Sequence, residues 1–138
     1  MHSTHPIEAL KHQLDALRHT DKKGFMRLNT PCQVGNLMGW LNVQSVYPLL
    51  YWQSRDAGAV EYAALGIVKA FGSLAALQAD LAVLADSGGE QPDYFGGMAF
   101  DPGTSGWQHF PDCHFLLPRI ELRRHQAGAT LSLNLRFD

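Results

Sequence analysis

Charged residues are scarce in this sequence, and neither sign is in clear excess. They make up 17% of the 138 residues, against about 25% in an average soluble domain. Eleven Lys and Arg residues against thirteen Asp and Glu residues give a net charge of −2. The basic surface that binds nucleic acid is therefore missing, and we exclude DNA and RNA as partners. Apolar residues make up 46% of the chain, which predicts a folded core rather than disorder.

Long apolar runs and closely spaced cysteines are also missing. No run approaches the roughly 18 residues that span a bilayer. The first residues, Met1 to His5, carry neither the cationic nor the apolar stretch of a signal peptide. Cys32 and Cys113 lie far apart in no paired spacing, so we predict two reduced thiols. These features predict a cytoplasmic protein without a membrane partner.

The sequence lacks the motifs that mark common catalytic and cofactor-binding sites. We find no GxGxxG, GxxxxGK[ST], HExxH, GxSxG or paired CxxC pattern. The nearest serine pattern, Gly103 to Gly106, lies in a predicted loop. A nucleotide-binding loop, a zinc protease site and a serine-hydrolase elbow are therefore not predicted.

Histidines and acids do occur in groups, but we predict no metal or acid–base site from them. Three histidines recur every seven residues in the first predicted helix: His5, His12 and His19. Their successive backbones would lie about 10.5 Å apart, too far to share one metal ion. A second group has metal-ligand residue types but no partner cluster to complete a site: His109, Asp112, Cys113 and His114.

The acidic residues give the same result. One group lies in a glycine-containing connection without EF-hand spacing: Asp86, Glu90 and Asp93. Glu61 lies in a predicted strand whose alternation points its side chain to solvent. We therefore predict no catalytic, no cofactor-binding and no metal-binding residue in this chain.

Three helices are predicted from the spacing of apolar residues. The first runs from Pro6 to His19, with Ile7, Leu10, Leu14 and Leu17 on one face. The second runs over residues 34–44, although it contains two glycines. The third begins after a capping Ser73 and ends near Gly88, with four leucines on one face: Leu74, Leu77, Leu81 and Leu84.

The remaining segments have the pattern of β-strands. A short strand covers Phe25 to Asn29 and is ended by Pro31. Residues 47–55 and 59–68 flank a glycine-containing turn and predict a hairpin. Three later strands are predicted over residues 94–100, 115–124 and 129–137.

These elements predict a single α+β domain over residues 1–138, an antiparallel sheet covered by about three helices. The last strand alternates up to Phe137, and the sequence stops one residue later. We interpret this as a cut, so the domain is expected to be a truncated piece of a longer protein. Aromatic residues gather around the hairpin and around Gly96 and Gly97. Rings packed over a glycine gap explain this gathering better than a ligand-stacking surface.

Several of these segments, in this order, resemble the N-terminal part of isochorismate synthases, especially those of the menaquinone (vitamin K2) pathway. The segments are YPLLYWQSRD (47–56), EYAALG (61–66), FGSLAAL (71–77), YFGGMAFDP (94–102), Trp107, Phe110 and FLLPRIELRR (115–124). The resemblance covers residues 25–138 and is strongest in the GG-x-AFDP and LPR-x-E strands. The amphipathic helix within residues 1–20 carries little of it.

The resemblance implies a chorismate-using enzyme related to anthranilate and salicylate synthases, an isomerase that converts chorismate to isochorismate. In such enzymes Mg²⁺ holds the substrate carboxylate, a lysine activates water and a glutamic acid protonates the departing hydroxyl. Those residues belong to a C-terminal chorismate-binding part that is missing here. This chain alone is then expected to be inactive, to bind no Mg²⁺ and to depend on that missing part as its partner.

Two further expectations follow from the sequence. The chain could instead be a stand-alone small-molecule binding or regulatory module, with an amino acid or aromatic acid beside Tyr51 and Trp52. In related anthranilate synthases, the segment matching Leu49 to Ser54 helps to form a pocket for an amino-acid inhibitor, but the pattern expected there is replaced in this chain. Strand edges left without partners also predict self-association.

Overall fold

The structure is a computed structural model, which describes residues 5–17, 24–55, 60–87, 92–98, 113–125 and 128–137. Three helices and eight strands lie in these ranges. In chain order they are α1 (Pro6–Ala16), β1 (Gly24–Cys32), α2 (Leu37–Asn42), β2 (Leu49–Gln53), β3 (Glu61–Leu65), β4 (Lys69–Phe71), α3 (Leu74–Ser87), β5 (Phe95–Met98), β6 (Cys113–Leu117), β7 (Ile120–His125) and β8 (Gly128–Phe137).

The strands form two antiparallel sheets. The larger sheet has the order β1-β8-β7-β3-β2, and the smaller has the order β4-β6-β5. The α+β class with three helices is therefore confirmed, although we predicted one sheet where the structure has two. The predicted hairpin is also confirmed, because β2 pairs with β3 from Leu49 opposite Leu65 to Gln53 opposite Glu61. Its turn lies outside the described residues.

The second sheet arises because one predicted strand is two strands. Residues 115–124 divide at Pro118, with β6 in the smaller sheet and β7 in the larger. Proline has no N–H to donate to a strand ladder. The Pro118 carbonyl is buried, and it accepts a hydrogen bond from the side-chain amide Nδ2 of Asn134 at 2.8 Å. The chain resumes pairing at once, since the Arg119 N–H donates to the Leu65 carbonyl.

One face of the larger sheet forms the main core. Leu28 of β1, Leu122 of β7 and Leu131 of β8 lie on this face, and Leu122 is directly opposite Leu131. Helices α1 and α2 cover it with Leu10, Leu37 and Leu41, all buried. The strict alternation of β8 predicted this apolar face correctly.

The first two helices differ from prediction at their ends. In α1 the His5 side chain accepts a hydrogen bond from the Ile7 N–H, and the helix ends at Ala16 rather than at His19. In α2 the Asn36 side chain accepts from the backbone N–H groups of residues 38 and 39, so the helix begins there. The predicted span of 34–44 was therefore too long at both ends.

Strand β1 is longer than predicted because Pro31 does not end it. The strand continues to Cys32, and Pro31 lies opposite Thr130 of β8. An edge strand tolerates proline because one side of its backbone donates to no neighbour, and β1 is at the edge of the larger sheet.

Helix α3 lies against the smaller sheet and begins as predicted. The Ser73 hydroxyl accepts a hydrogen bond from the Ala76 N–H at 3.1 Å. Leu77 and Leu84 are buried, whereas Leu74 at the first turn is exposed. Leu84 packs with Leu117 of β6 and Phe25 of β1, so the helix contacts both sheets. No helix among the described residues is long and apolar enough to cross a membrane.

Candidate functional site

The larger sheet is polar on the face opposite the core. Strand alternation and register place charged, amide and hydroxyl side chains next to one another there: Arg27 and Asn29 on β1, Ser132 and Asn134 on β8, and Glu121 and Arg123 on β7. The smaller sheet lies over one end of this face, where Tyr62 of β3 meets Phe95 of β5 with ring centroids 5.8 Å apart. The polar groups are therefore the floor of a cleft between two sheets.

A buried network ties three strands together at the centre of this face. Arg27 Nη2 lies 3.1 Å from Glu121 Oε2, and Arg27 Nε donates to Asn134 Oδ1. Asn134 Nδ2 donates to the same Glu121 oxygen at 2.6 Å. Only 4% of the Glu121 side chain and 18% of the Arg27 side chain are exposed. Each charge is thus satisfied by a partner on a neighbouring strand, as burial requires.

Burial determines the acidity of Glu121. Loss of water contact raises the pKa of its carboxyl above the usual value of 4.5, and the nearby carboxylate of Asp93 acts in the same direction. The hydrogen bond from Asn134 and the charge of Arg27 oppose this rise without cancelling it. A buried acid of raised pKa is a feature of catalytic sites, but it also occurs in structural ion pairs.

A cavity of about 360 Å³ opens beside the network. Its lining combines two guanidinium groups, two carboxylates, an amide, two aliphatic hydroxyls and a phenol: Arg27, Asn29, Tyr62, Asp93, Glu121, Arg123, Thr130 and Ser132. Asp93 lies at its exposed side, 3.4 Å from Arg27 Nη2. The cavity is a polar cleft in which Arg27 already pairs with both carboxylates.

A second ionic cluster joins α3 to both sheets. Asp80 is buried on α3, where its carboxylate accepts from Lys69 Nζ of β4 at 2.9 Å and from Arg136 Nη2 of β8 at 3.0 Å. The Tyr94 hydroxyl donates to it as well, at 2.9 Å. Burial pushes the pKa of Asp80 upward, but the hydrogen bonds and the two cations outweigh this effect and hold the pKa below 3.8. Burial raises the pKa of Tyr94, and the contact with Asp80 acts in the same direction.

The aromatic residues of the hairpin and the glycine strand pack against one another. Trp52 and Tyr62 have ring centroids 5.6 Å apart, and Phe95 follows Tyr62. A small cavity of about 220 Å³ lies beside these rings. At Gly96 a Cβ would lie 1.9 Å from the His114 carbonyl oxygen, so the β5 backbone approaches the β6 backbone closely there. Phe100, Trp107 and Phe110 lie outside the described residues.

The structure does not bring the histidines and cysteines of interest into one site. His5 is a helix cap and His12 is exposed on the same helix. Cys113 is partly buried and His114 is exposed on neighbouring positions of β6. His19, His109 and Asp112 lie outside the described residues. Burial raises the pKa of the Cys32 thiol, which makes it a weak nucleophile.

The two acidic candidates whose side chains the structure describes, Glu61 and Asp93, are each paired with an arginine. Glu61 is partly buried, and its carboxylate lies 3.5 Å from Arg124 Nη1 and accepts a hydrogen bond from the Tyr51 hydroxyl. It is therefore paired, although we predicted a solvent-facing side chain. Asp93 contacts Arg27, while Glu90 and the Asp86 side chain are not described. Among the described residues, no three His, Cys, Asp or Glu side chains are grouped so that they could hold a metal ion.

Sequence reasoning missed the network of Arg27, Glu121 and Asn134. Alternation along β7 and β8 does place these side chains on the face opposite the leucines. It does not reveal that a second sheet lies over this face. The signal available in the sequence was a single acid, Glu121, within a strand of otherwise apolar and basic residues.

Two curated proteins that are similar to this chain in sequence are both isochorismate synthases. No family model matches the chain. Isochorismate synthase MenF of Pasteurella multocida is 31% identical, and the match covers 71% of this chain and 19% of the relative. MenF of Escherichia coli is 35% identical, with 71% and 20% covered. The chain is similar to a segment of MenF. It spans about a fifth of the length of these curated relatives.

The fold agrees with this similarity. The solved structure of E. coli MenF, described as the menaquinone-specific isochorismate synthase, matches 94% of this chain with a TM-score of 0.70 and 30% identity. The match covers 29% of that enzyme. The resemblance to an isochorismate synthase stated from the sequence is therefore confirmed, and the MenF-like segment includes both sheets.

Proposed function

We propose that this chain is the N-terminal structural part of an isochorismate synthase, an enzyme that converts chorismate to isochorismate for menaquinone synthesis. The observation that carries the proposal is the match of 94% of the chain to MenF at a TM-score of 0.70. The reacting groups of the enzyme lie in the remainder, which is about four-fifths of the curated relatives' length. The part described here supplies the scaffold on which that remainder folds.

The chemistry of the described side chains supports a scaffold role. The two buried carboxylates, Glu121 and Asp80, each contact at least one cation, and each accepts hydrogen bonds from two or more side chains. A general acid or base needs a free position from which it can reach a substrate proton. Here the partners of Glu121 come from neighbouring strands, and those of Asp80 come from both sheets and from Tyr94. Such partners are typical of groups that fix the positions of strands and helices.

The described residues do not fit Mg²⁺. Mg²⁺ prefers several oxygen ligands in octahedral geometry. Asp93 and Glu121 are the acids nearest to each other in the cleft, and Arg27 contacts both. A cation would compete with that guanidinium. We therefore propose that the Mg²⁺ of the enzyme is held by residues outside this chain.

A hybrid enzyme tests the proposal. The matching segment of E. coli MenF is replaced by this chain, and isochorismate formation is followed in a coupled assay. We expect turnover by the hybrid, and none by the 138-residue chain alone or by E. coli MenF without the segment.

Two outcomes would contradict the proposal. The first is turnover by the purified chain alone, since this would place reacting groups within it. The second is a hybrid that unfolds in one cooperative transition, as a folded protein does, but forms no isochorismate. The alternative of a free-standing small-molecule module is not favoured, because both sequence and fold match one enzyme.

A further inference from the structure

The open edge of the larger sheet is formed by β2, and its hydrogen-bonding groups can be assigned. The Gly66 N–H donates to the Pro48 carbonyl, and the Ser54 N–H donates to the Val60 carbonyl. In an antiparallel ladder, residues that exchange hydrogen bonds alternate with residues that do not. Positions 48, 50, 52 and 54 therefore bond to β3. The backbone N–H and C=O groups of Leu49, Tyr51 and Gln53 point away from the sheet.

Apolar side chains continue this edge into the loop before it. Among the described residues, no strand pairs with the outer side of β2. The exposed apolar and aromatic side chains in β2 and directly before it are Val46, Tyr47 (70% exposed), Tyr51 and Trp52 (50% exposed). Together with the edge of β2, we call these residues the β2 patch.

The β2 patch lacks the devices that normally protect an edge strand. Natural edges carry lysines, inward-pointing charges or bulges that prevent pairing with another chain. Here no charged residue occurs between Arg27 and Arg55. The nearest acid on the adjoining strand, Glu61, is already paired with Arg124. Two copies of this surface would therefore meet without like-charge repulsion.

The edge is also complementary to itself. A two-fold axis through Tyr51 places Leu49 of one copy opposite Gln53 of the other, and each Tyr51 opposite its counterpart. All three outward residues then meet outward residues, so every free backbone group on both edges finds a partner. Stable dimers bury about 800 Å² per partner. We expect a five-residue strand with four exposed apolar or aromatic side chains to bury less than this, which fits a weak dimer.

We propose that two copies of this chain associate by antiparallel pairing of their β2 strands about a two-fold axis at Tyr51. The larger sheets then continue into one sheet of ten strands. The pairing is independent of the enzymatic proposal, because it uses only the edge of this chain.

Sedimentation equilibrium of the full 138-residue chain tests the pairing. We expect a monomer–dimer equilibrium with a dissociation constant on the order of 10–100 µM. In Tyr51→Lys two ammonium groups would face each other across the axis, so the constant should rise at least about tenfold. The variant should still fold, since the Tyr51 side chain is already 39% exposed. The control Tyr51→Phe removes only the phenolic hydroxyl and keeps the ring, and it should dimerise within about threefold of the original.

Hydrogen exchange gives a readout that is specific to the edge. The amides of Leu49, Tyr51 and Gln53 should exchange rapidly in dilute solution and slowly at high concentration, whereas those of Leu50 and Trp52 stay protected at both. A chain that remains monomeric to about 1 mM would overturn the pairing. A dimer in which the amides of Leu49, Tyr51 and Gln53 still exchange rapidly would also overturn it. Protection that appears only when the rest of a MenF-type enzyme is added would assign the edge to that enzyme instead.

Discussion

Glu121 and Asp80 carry the main electrostatic features of the chain, and each depends on its partners for stability. Both are buried acids that contact at least one cation. A buried ion pair stabilises a fold little more than a well-packed apolar pair would, because both charges lose their contact with water. Removing only one member of the pair destabilises the fold strongly, since the remaining charge stays buried without its partner. The contribution of each acid to stability can therefore be tested by a substitution of its own.

Replacing Glu121 alone should destabilise the fold strongly. Glu121→Leu leaves Arg27 buried without its main counter-charge, and we expect the free energy of unfolding to fall by about 3 kcal/mol. The double variant Arg27→Met/Glu121→Leu removes both charges and should recover most of that loss. Urea denaturation measures both values. A double variant no more stable than the single one would show that the charge pair is not the cause.

Asp80 should make the protein sensitive to acid. Its pKa in the folded state lies below 3.8, so the unfolded chain takes up the proton first as the pH falls. The stability that Asp80 contributes is therefore present above pH 3.8 and is lost as the pH falls through the lower folded value. Asp80→Asn should cost about 3 kcal/mol at neutral pH and should flatten the acid limb of the stability curve.

The matched control for Asp80 is Asp93→Asn. Asp93 is half exposed and pairs with Arg27 at 3.4 Å, so the substitution should cost less than about 1 kcal/mol. Denaturant midpoints from about pH 6 to pH 2 compare the two variants with the original chain. Equal acid sensitivity of the original and of Asp80→Asn would contradict the assignment.

At the scale of elements, chain breaks decide how the strands are shared between sheets. Pro118 moves the chain from β6 in one sheet to β7 in the other. Gly66 does the same between β3 and β4, and it has a positive φ of 74° that other residues rarely adopt. A Cβ at Gly66 would also lie 3.0 Å from the Arg119 side chain. The two crossings lie side by side, so the two sheets meet at a common corner.

Gly96 should be the most sensitive position of β5. A Cβ there would lie 1.9 Å from the His114 carbonyl oxygen and 2.7 Å from the Phe115 Cα, both backbone atoms. Gly96→Ala must therefore separate β5 from β6, and we expect a loss of about 2–3 kcal/mol. Gly97→Ala is the control, since no atom lies within 4 Å of its Cβ position. Thermal unfolding of both variants checks the difference, and equal effects would contradict the structure.

At the scale of the whole molecule, the chain connects the two sheets twice, and side-chain contacts also join them. Strands β3 and β4 are joined directly, β6 and β7 are joined through Pro118, and Asp80 contacts residues of both sheets. Leu84 and Leu117 pack with Phe25 across the junction. Neither sheet can separate without exposing groups that the other buries.

This connection predicts a single unfolding transition. Of the three tryptophans, Trp40 and Trp52 lie at the larger sheet and Trp107 lies outside the described residues. Tryptophan fluorescence therefore reports on the larger sheet and on the segment around Trp107, whereas far-ultraviolet circular dichroism reports on all elements. We expect the two urea curves of the chain at low concentration to coincide. Two separate transitions would contradict the shared junction and would show that each sheet folds independently.

The sequence by itself determined the local elements and the resemblance. Strict alternation predicted the leucine face of β8, and the glycine-containing connection between two β-rich runs predicted the β2–β3 pairing. Ser73 and the leucine spacing predicted the start of α3. These signals depend on neighbours within a few residues, so they can be detected in the sequence alone. The ordered segments also predicted the similarity to an isochorismate synthase.

Only the tertiary structure decided where the polar face lies and which groups are buried on it. Alternation assigns Glu121 and Asn134 to one side of the sheet, but the second sheet that covers this side comes from residues distant in sequence. The same limit explains Pro118, since a linear pattern cannot show that β6 and β7 pair with different partners. Burial, pairing and the pKa of an acid depend on such long-range contacts, and no local pattern contains them.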